Sequence, residues 1–173
     1  MEIPSTASQT YHALHATALE FVHALDLDDT LPERYNQNRL RAICAPGFRH
    51  DMGHAFFLST APHLVGTKDV DGFVRHLGMM MPMLHSWQAK VTDCVVDEAQ
   101  LRVVLRGSYY MRVKGKDGEV QEVENDLVWW ITMVRDGDAD KNKECFKVAR
   151  GIEFVDAAAS KKLKELATAA KAL

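Results

Sequence analysis

No stretch of this 173-residue chain reaches the roughly 18 consecutive apolar residues of a membrane-spanning helix, so no membrane partner is expected. Cysteine is scarce. Cys44, Cys94 and Cys145 are odd in number and far apart, which excludes a Cys-x-x-Cys metal pattern and a disulfide framework and points to a reducing compartment. The opening MEIPSTASQTYHA lacks the basic start and apolar core of a secretory leader, so a cytoplasmic protein is expected. No glycine-rich turn joins a strand to a helix, and no nucleotide or other cofactor is expected. No serine or cysteine stands in a nucleophile motif. Positive charge is not in excess either: 21 basic against 24 acidic residues give a net charge of -3, so nucleic acid is not an expected partner. The local basic runs RVKGK and SKKLKEL read as a hairpin tip and the wet face of a terminal helix.

What is present is an ordinary globular composition, 47% hydrophobic and 26% charged, in a chain long enough for one well-buried domain spanning 1–173. Over 6–25, Tyr11, Leu14, Ala18, Phe21 and Leu25 recur at three- and four-residue steps and predict a helix capped by Thr6 or Ser8. DLDDTLP ends it, and Pro32 in a first turn opens a second helix over about 32–44. APG breaks that helix, and a short extended piece follows at 47–52. APHLVGTKDVDGFVRHLGMMMPML predicts a loop and a third helix with Asp69 or Asp71 near its start. From residue 85 the period changes to two. HSWQAKVTDCVV, QLRVVLRGSYYMRV, VENDLVWWITMV and CFKVARGIEFV read as four strands joined by the polar turns DEA, KGKDGE and DGDADKNKE. ASKKLKELATAAKAL closes the chain as a helix. Helices followed by an antiparallel meander predict an α+β fold with helices covering one face of a curved sheet.

Alternation places His85, Trp87, Ala89 and Val91 on one strand face, and Leu101, Val103, Leu105, Gly107, Tyr109 and Met111 on another. On the last strand Phe146, Val148, Arg150, Ile152 and Phe154 share a face. An apolar concave surface interrupted by His85, Tyr109 and Arg150 is what a small-molecule pocket requires. Trp87, Trp130 and the methionines of MMMPML suit a flat polycyclic or aromatic ligand. The strand is apolar on both faces over 127–133, so a cover for the back of the sheet is expected, most simply a second copy of the chain in a homodimer.

FRHDMGHAFF, residues 48–57, places His50 and His54 at the spacing of zinc-protease helices. Pro46, Gly47 and Gly53 disfavour a helix there, and in an extended chain the two histidines stand about 13 Å apart. Only a turn at Gly53 would bring them together, and no metal is expected. Asp51, partly desolvated among apolar residues, would be a strengthened base, or else the partner of Arg49, Arg150 or a histidine. A register slip of one residue would exchange His50 and Met52 for Asp51 as inward-facing groups. Asp126 shares a strand face with Glu124 and would donate to an oxyanion if kept neutral, or answer the charge of Arg150.

This order of elements resembles the nuclear transport factor 2-like superfamily, the cone-shaped α+β fold of ketosteroid isomerase, scytalone dehydratase and the SnoaL-like polyketide cyclases. The stretch LEFVHALDLDD…LRAICAPGFRHDMG…LVGTKDVDGFVRHL is similar to the superfamily's two helices, strand and third helix. By that likeness Asp51 falls where ketosteroid isomerases carry their proton-abstracting aspartate. Scytalone dehydratase is similar at Ala45, Pro46, Arg49 and Asp51, at a pocket histidine falling on His85, at a helix-end aspartate falling on Asp26, and at Asp126, Leu127 and Trp129. Phe21, Leu25 and Met52 stand where those families have tyrosines, and Gly107–Ser108 where the dehydratase has a second histidine.

The resemblance implies a cofactor-free isomerase, cyclase or dehydratase acting on a polyketide-type metabolite. Asp51, or His50 in its place, would take a proton beside a carbonyl. His85, with Tyr109 or Asp126, would stabilise the enolate or return the proton. Asp26, Met52, His54, Trp87, Trp130 and Arg150 complete the expected lining. The alternative is a non-catalytic binding module of the same fold.

Overall fold

Ser8 opens the first helix, α1 (Gln9–His23), by accepting a 2.9 Å hydrogen bond from the Tyr11 amide, and the apolar stripe Leu14, Ala18, Phe21 and Val22 is buried. In this computed structural model, which describes residues 3–115, 117–137 and 144–171, four more helices and five strands follow. They are α2 (Gln37–Ile43), β1 (Cys44–Met52), α3 (Ala55–Thr60), α4 (Val70–Met80), β2 (Ser86–Asp97), β3 (Arg102–Lys114), β4 (Val120–Arg135), β5 (Phe146–Val155) and α5 (Ala157–Lys171). The expected hairpin tip at Lys116, the turn over 138–143 and the last residues of the closing helix lie outside the described residues. Among the described residues no helix is long and apolar enough to cross a membrane.

The second helix begins at Gln37 rather than near Pro32. Asn36 takes the capping role, accepting from the Arg39 amide at 2.9 Å, and the preceding residues are held in turns by Asp28 and by Arg34 at a φ of 63°. Asp69 caps α4, its side chain accepting from the Gly72 amide at 2.7 Å, and α4 buries Phe73, Val74 and Leu77. Pro82 ends that run in a 3-10 turn.

The five strands form one curved, open sheet in the order β1-β5-β4-β3-β2. The extended piece expected at 47–52 is thus a full edge strand. It pairs with β5 in parallel, so the sheet is mixed rather than wholly antiparallel. Two irregularities set which side chains face the helices: the β2–β3 register shifts between Val91 and Asp93, and the β4–β5 register shifts between Thr132 and Met133. The second shift leaves Ala149 unopposed, and beyond it the side-chain alternation of β5 reverses. Phe146 and Val148 point inward before it, and Gly151, Glu153 and Val155 after it. Arg150, Ile152 and Phe154 therefore belong to the outer face, against the strict alternation expected from sequence.

Three inner rows run across the sheet in direct register. One is His50, Gly151, Ile131 and Val103; the next is Met52, Glu153, Trp129 and Leu105; the third is Val155, Leu127, Gly107 and Val91. Over them lie α1 and α4, and Phe21, Phe48, Phe73 and Trp129 form a buried aromatic cluster. Gly107 lets β2 close over β3, because a Cβ there would stand 2.8 Å from the Lys90 carbonyl oxygen, a backbone atom with little room to move. Gly107→Ala is expected to cost about 1–3 kcal/mol, read as a lower urea midpoint; an unchanged midpoint would show that β2 yields freely.

Candidate functional site

Of the polar residues in FRHDMGHAFF, His50 is the one the fold carries into the interior, beside Phe48. Its ring is fully buried, stacked on Phe73 at 4.2 Å between centroids and tilted against Trp129 at 5.6 Å. The space for this comes from Gly151, whose absent side chain lets the Trp129 indole lie across β5. The Glu153 carboxylate approaches His50 Nε2 at 3.4 Å, close enough for a charge interaction and too long for a good hydrogen bond. His76, one turn beyond Phe73 on α4, completes this corner. Burial pushes its imidazole below the ordinary value, Glu153 opposes that, and the charges of Lys68, His50 and His63 add to it.

Tyr109 lies deeper in the cone, and its hydroxyl is buried. Burial raises its phenol, the nearby charge of Glu153 raises it further, the Trp129 indole opposes, and Asp26 adds a smaller push. The group thus stays protonated across the physiological range and keeps a proton to donate. Tyr109 and Trp129 share a small cavity with Val22, Leu105 and Leu127, whose free volume of about 10 Å³ holds one water at most.

Buried polar atoms ordinarily have partners. Among the described residues seven buried side-chain nitrogens or oxygens lack a hydrogen bond of good geometry, and five of them belong to this region: both ring nitrogens of His50, Lys68 Nζ, and Tyr109 Oη and Trp129 Nε1, which meet only each other and only weakly. Each such atom costs on the order of 1–3 kcal/mol until something satisfies it. Their concentration around the buried aromatic cluster makes this corner the candidate site.

The other expected site residues fall elsewhere. Asp51 is on the opposite face of β1 from His50. Its carboxylate takes hydrogen bonds from Thr67 at 2.6 Å and from Arg150 at 2.8 Å. Burial alone would raise it, but those two bonds and the charges of Arg150 and His50 hold it below its ordinary value. A carboxylate so stabilised is a weakened base. Arg150 is half-exposed and answers Asp51, not Asp126. Asp126 is on the outer face, paired with Arg106 at 2.7 Å, and that hydrogen bond keeps it ionised rather than neutral.

His85 is exposed just before β2, with its amide bonded to the Arg112 carbonyl. Trp87 is buried and donates its indole N–H to the Leu25 carbonyl at 2.7 Å, a structural bond rather than a free donor. Asp26 pairs with His23 at 2.8 Å at the end of α1. His54 caps α3 with a φ of 61° and sets its ring edge-on to Phe154, so the turn at Gly53 carries it away from His50 instead of toward it. Met52 is half-buried on the inner row beside Glu153. Trp130 stands on the outer face, 38% exposed, under the Arg102 guanidinium. Burial raises the Cys44 thiol to about 12 and the Cys94 thiol to about 11, so neither offers a thiolate near neutral pH. Among the described residues no three metal-ligating side chains converge.

Glu153, His76 and Lys68 were not singled out from sequence, and Trp129 entered only through the likeness to scytalone dehydratase. The acid within RGIEFV was visible as a charge in an apolar strand, and His76 falls three residues after Phe73 on the apolar side of α4. Their convergence was hidden by the unopposed Ala149, which no pattern of hydrophobicity announces.

No family model and no curated protein matches this chain. Solved structures do. BvnE pinacolase from Penicillium brevicompactum is similar over 94% of this chain and 96% of its own, with a TM-score of 0.63 at 13% identity. PrhC from Penicillium brasilianum covers 94% of each chain, with a TM-score of 0.66 at 17% identity. A protein assigned as a SnoaL-like polyketide cyclase from Shewanella denitrificans covers 88% of this chain and 96% of its own, with a TM-score of 0.59 at 11% identity. The chain therefore has the cone fold of the nuclear transport factor 2-like superfamily.

Proposed function

We propose that this protein is a cofactor-free isomerase, cyclase or dehydratase of a polyketide-type small molecule, working by acid–base chemistry at the His50–Glu153 corner. The observation that carries the reading is the cluster of buried, unpartnered donors and acceptors around His50. His50 takes a proton from the carbon beside a carbonyl, and Glu153, 3.4 Å away, stabilises the imidazolium that results. The Tyr109 hydroxyl and the Trp129 indole N–H donate to the oxygen on which negative charge develops. A pinacolase and a protein assigned as a SnoaL-like polyketide cyclase among the structural neighbours support this class of reaction by analogy of fold. Met52 and the partly buried Met80 give the wall an adaptable surface for a polycyclic ligand.

The homodimer is part of the same proposal. Val95, Val104, Trp130 and Ile152 stand in direct register across four strands on the outer face, and Val95 and Trp130 are exposed. A second copy laid on that row would cover it.

One observation favours the alternative, a module without catalysis: the cavity lined by Tyr109 and Trp129 has a free volume of about 10 Å³, whereas small-molecule pockets span several hundred Å³. The deciding experiment is NMR-detected deuterium incorporation from solvent into a panel of enolisable polycyclic ketones, comparing wild type with Glu153→Gln. Exchange by the wild type that falls at least about tenfold in the variant supports the reading. Equal exchange in both removes Glu153 from the chemistry, and no exchange with a ketone that binds establishes the binding module.

A further inference from the structure

Of the ten arginines in the chain, seven pair with a carboxylate and Arg102 lies over Trp130. Among the described residues Arg49 and Arg75 have neither kind of partner, and both line one surface cleft of about 570 Å³. This cleft lies at the free edge of β1, outside the cone. Its far wall is the segment around Lys68, held to β1 by a reciprocal pair of backbone hydrogen bonds with His50 at 2.7 and 2.9 Å. Lys68 adds a third cation, and its Nζ is buried without a hydrogen-bond partner.

The one acid in the lining is Asp69, whose carboxylate is already engaged with the Gly72 amide. Because Asp69 occupies the end of α4, the helix terminus is not what makes the site. Three cations against one acid leave an excess of two positive charges, in a protein whose net charge is -3. A phosphate monoester carries about -1.5 to -2 near pH 7 and offers three acceptor oxygens. Arginine forks bind such a group by paired hydrogen bonds, and a lysine adds a point charge. The missing side chain at Gly72 keeps the floor open, since a Cβ there would stand 3.2 Å from both Asp69 Oδ1 and Lys68 Cβ.

We propose that the cleft between β1 and the first turn of α4 is a second ligand site, outside the cone, that binds the phosphate group of a small phosphate monoester through Arg49, Arg75 and Lys68. The site shares Lys68 with the unpartnered cluster around His50 but no group given a catalytic role, so loss of phosphate binding and loss of proton exchange are read separately. Salt weakens such binding in proportion to the charge neutralised.

The test is a titration of the isotopically labelled full chain with phenyl phosphate, inorganic phosphate and benzoate at low ionic strength, followed by amide shifts. Saturable shifts at Gly47, Thr67–Asp69 and Gly72 are expected with phenyl phosphate, and Arg49→Gln/Arg75→Gln should weaken them at least about tenfold. Arg75→Gln alone gives a second, milder variant, and Arg106→Gln on the distant sheet face should change nothing. Tighter binding of phenyl phosphate than of inorganic phosphate identifies an organic monoester as ligand; equal binding means that the phosphate group alone is read. Shifts that do not saturate, that centre elsewhere, or that benzoate produces as strongly would overturn the proposal.

Discussion

His50→Gln should slow solvent-deuterium exchange into a ketone substrate by about 10²–10⁴-fold, while Asp51→Asn should leave it within a few-fold of wild type. Glutamine keeps a planar polar group against Phe73 and Trp129 but cannot accept a proton near neutral pH. Asp51 has two hydrogen bonds that hold it in its charged form, and it faces away from the cone. Its replacement removes a partner from Arg150, half of which is already in water, so the consequence falls on the sheet edge and not on the chemistry. The comparison is a single-turnover exchange rate for both variants on one ketone, with circular dichroism as the check on folding. Loss of exchange in Asp51→Asn with retention in His50→Gln would return the base to the outer face of β1 and refute the assignment.

Phe21→Ala is expected to destabilise the fold by about 3–5 kcal/mol. Phe21 is fully buried in α1 and meets Trp129 edge-on at 5.2 Å, Phe48 at 6.0 Å and Phe73 at 6.3 Å. It is the contact by which α1 holds the cluster against β1, β4 and α4. Removing the ring leaves a void that rigid aromatic neighbours fill poorly, and each aromatic pair lost adds about 0.5–1.5 kcal/mol to the burial term. For a domain of this length the change corresponds to a fall in Tm of about 6–20 °C. Urea and thermal unfolding of the variant measure it; a loss below 1 kcal/mol would mean that the cluster collapses around the gap. Because Phe21 touches Trp129, the same variant should also weaken ligand binding more than a distant core truncation such as Leu40→Ala.

The helices were legible wherever caps and apolar steps agreed. Ser8 and Asp69 do cap α1 and α4, and α1 buries Leu14, Ala18 and Phe21 of the stripe that its spacing indicated. The period-two stretches became β2 to β5, and the change of period near residue 85 marks the start of β2, although β1 already lies among the helices before it. The short α3 was not legible, because six residues with no buried side chain leave no periodic trace. The inner face of β5 was misread for a different reason. Alternation along a strand is a local rule, and the unopposed Ala149 breaks it through pairing with β4, a partner distant in sequence.

The sequence by itself determined the class of fold: the amphipathic helices, the later strands and the apolar aromatic core all follow from local periodicity and composition. It also supplied the chemistry, since His50, Tyr109 and Arg150 are where their residue types were noticed. The tertiary structure decided which of them work together. One register shift turned Arg150 outward to Asp51 and Glu153 inward to His50, and Gly151 made the space in which Trp129 reaches that histidine. Facing is a property of pairing between strands, fixed by hydrogen bonds across the sheet, and neighbours along the chain do not encode it.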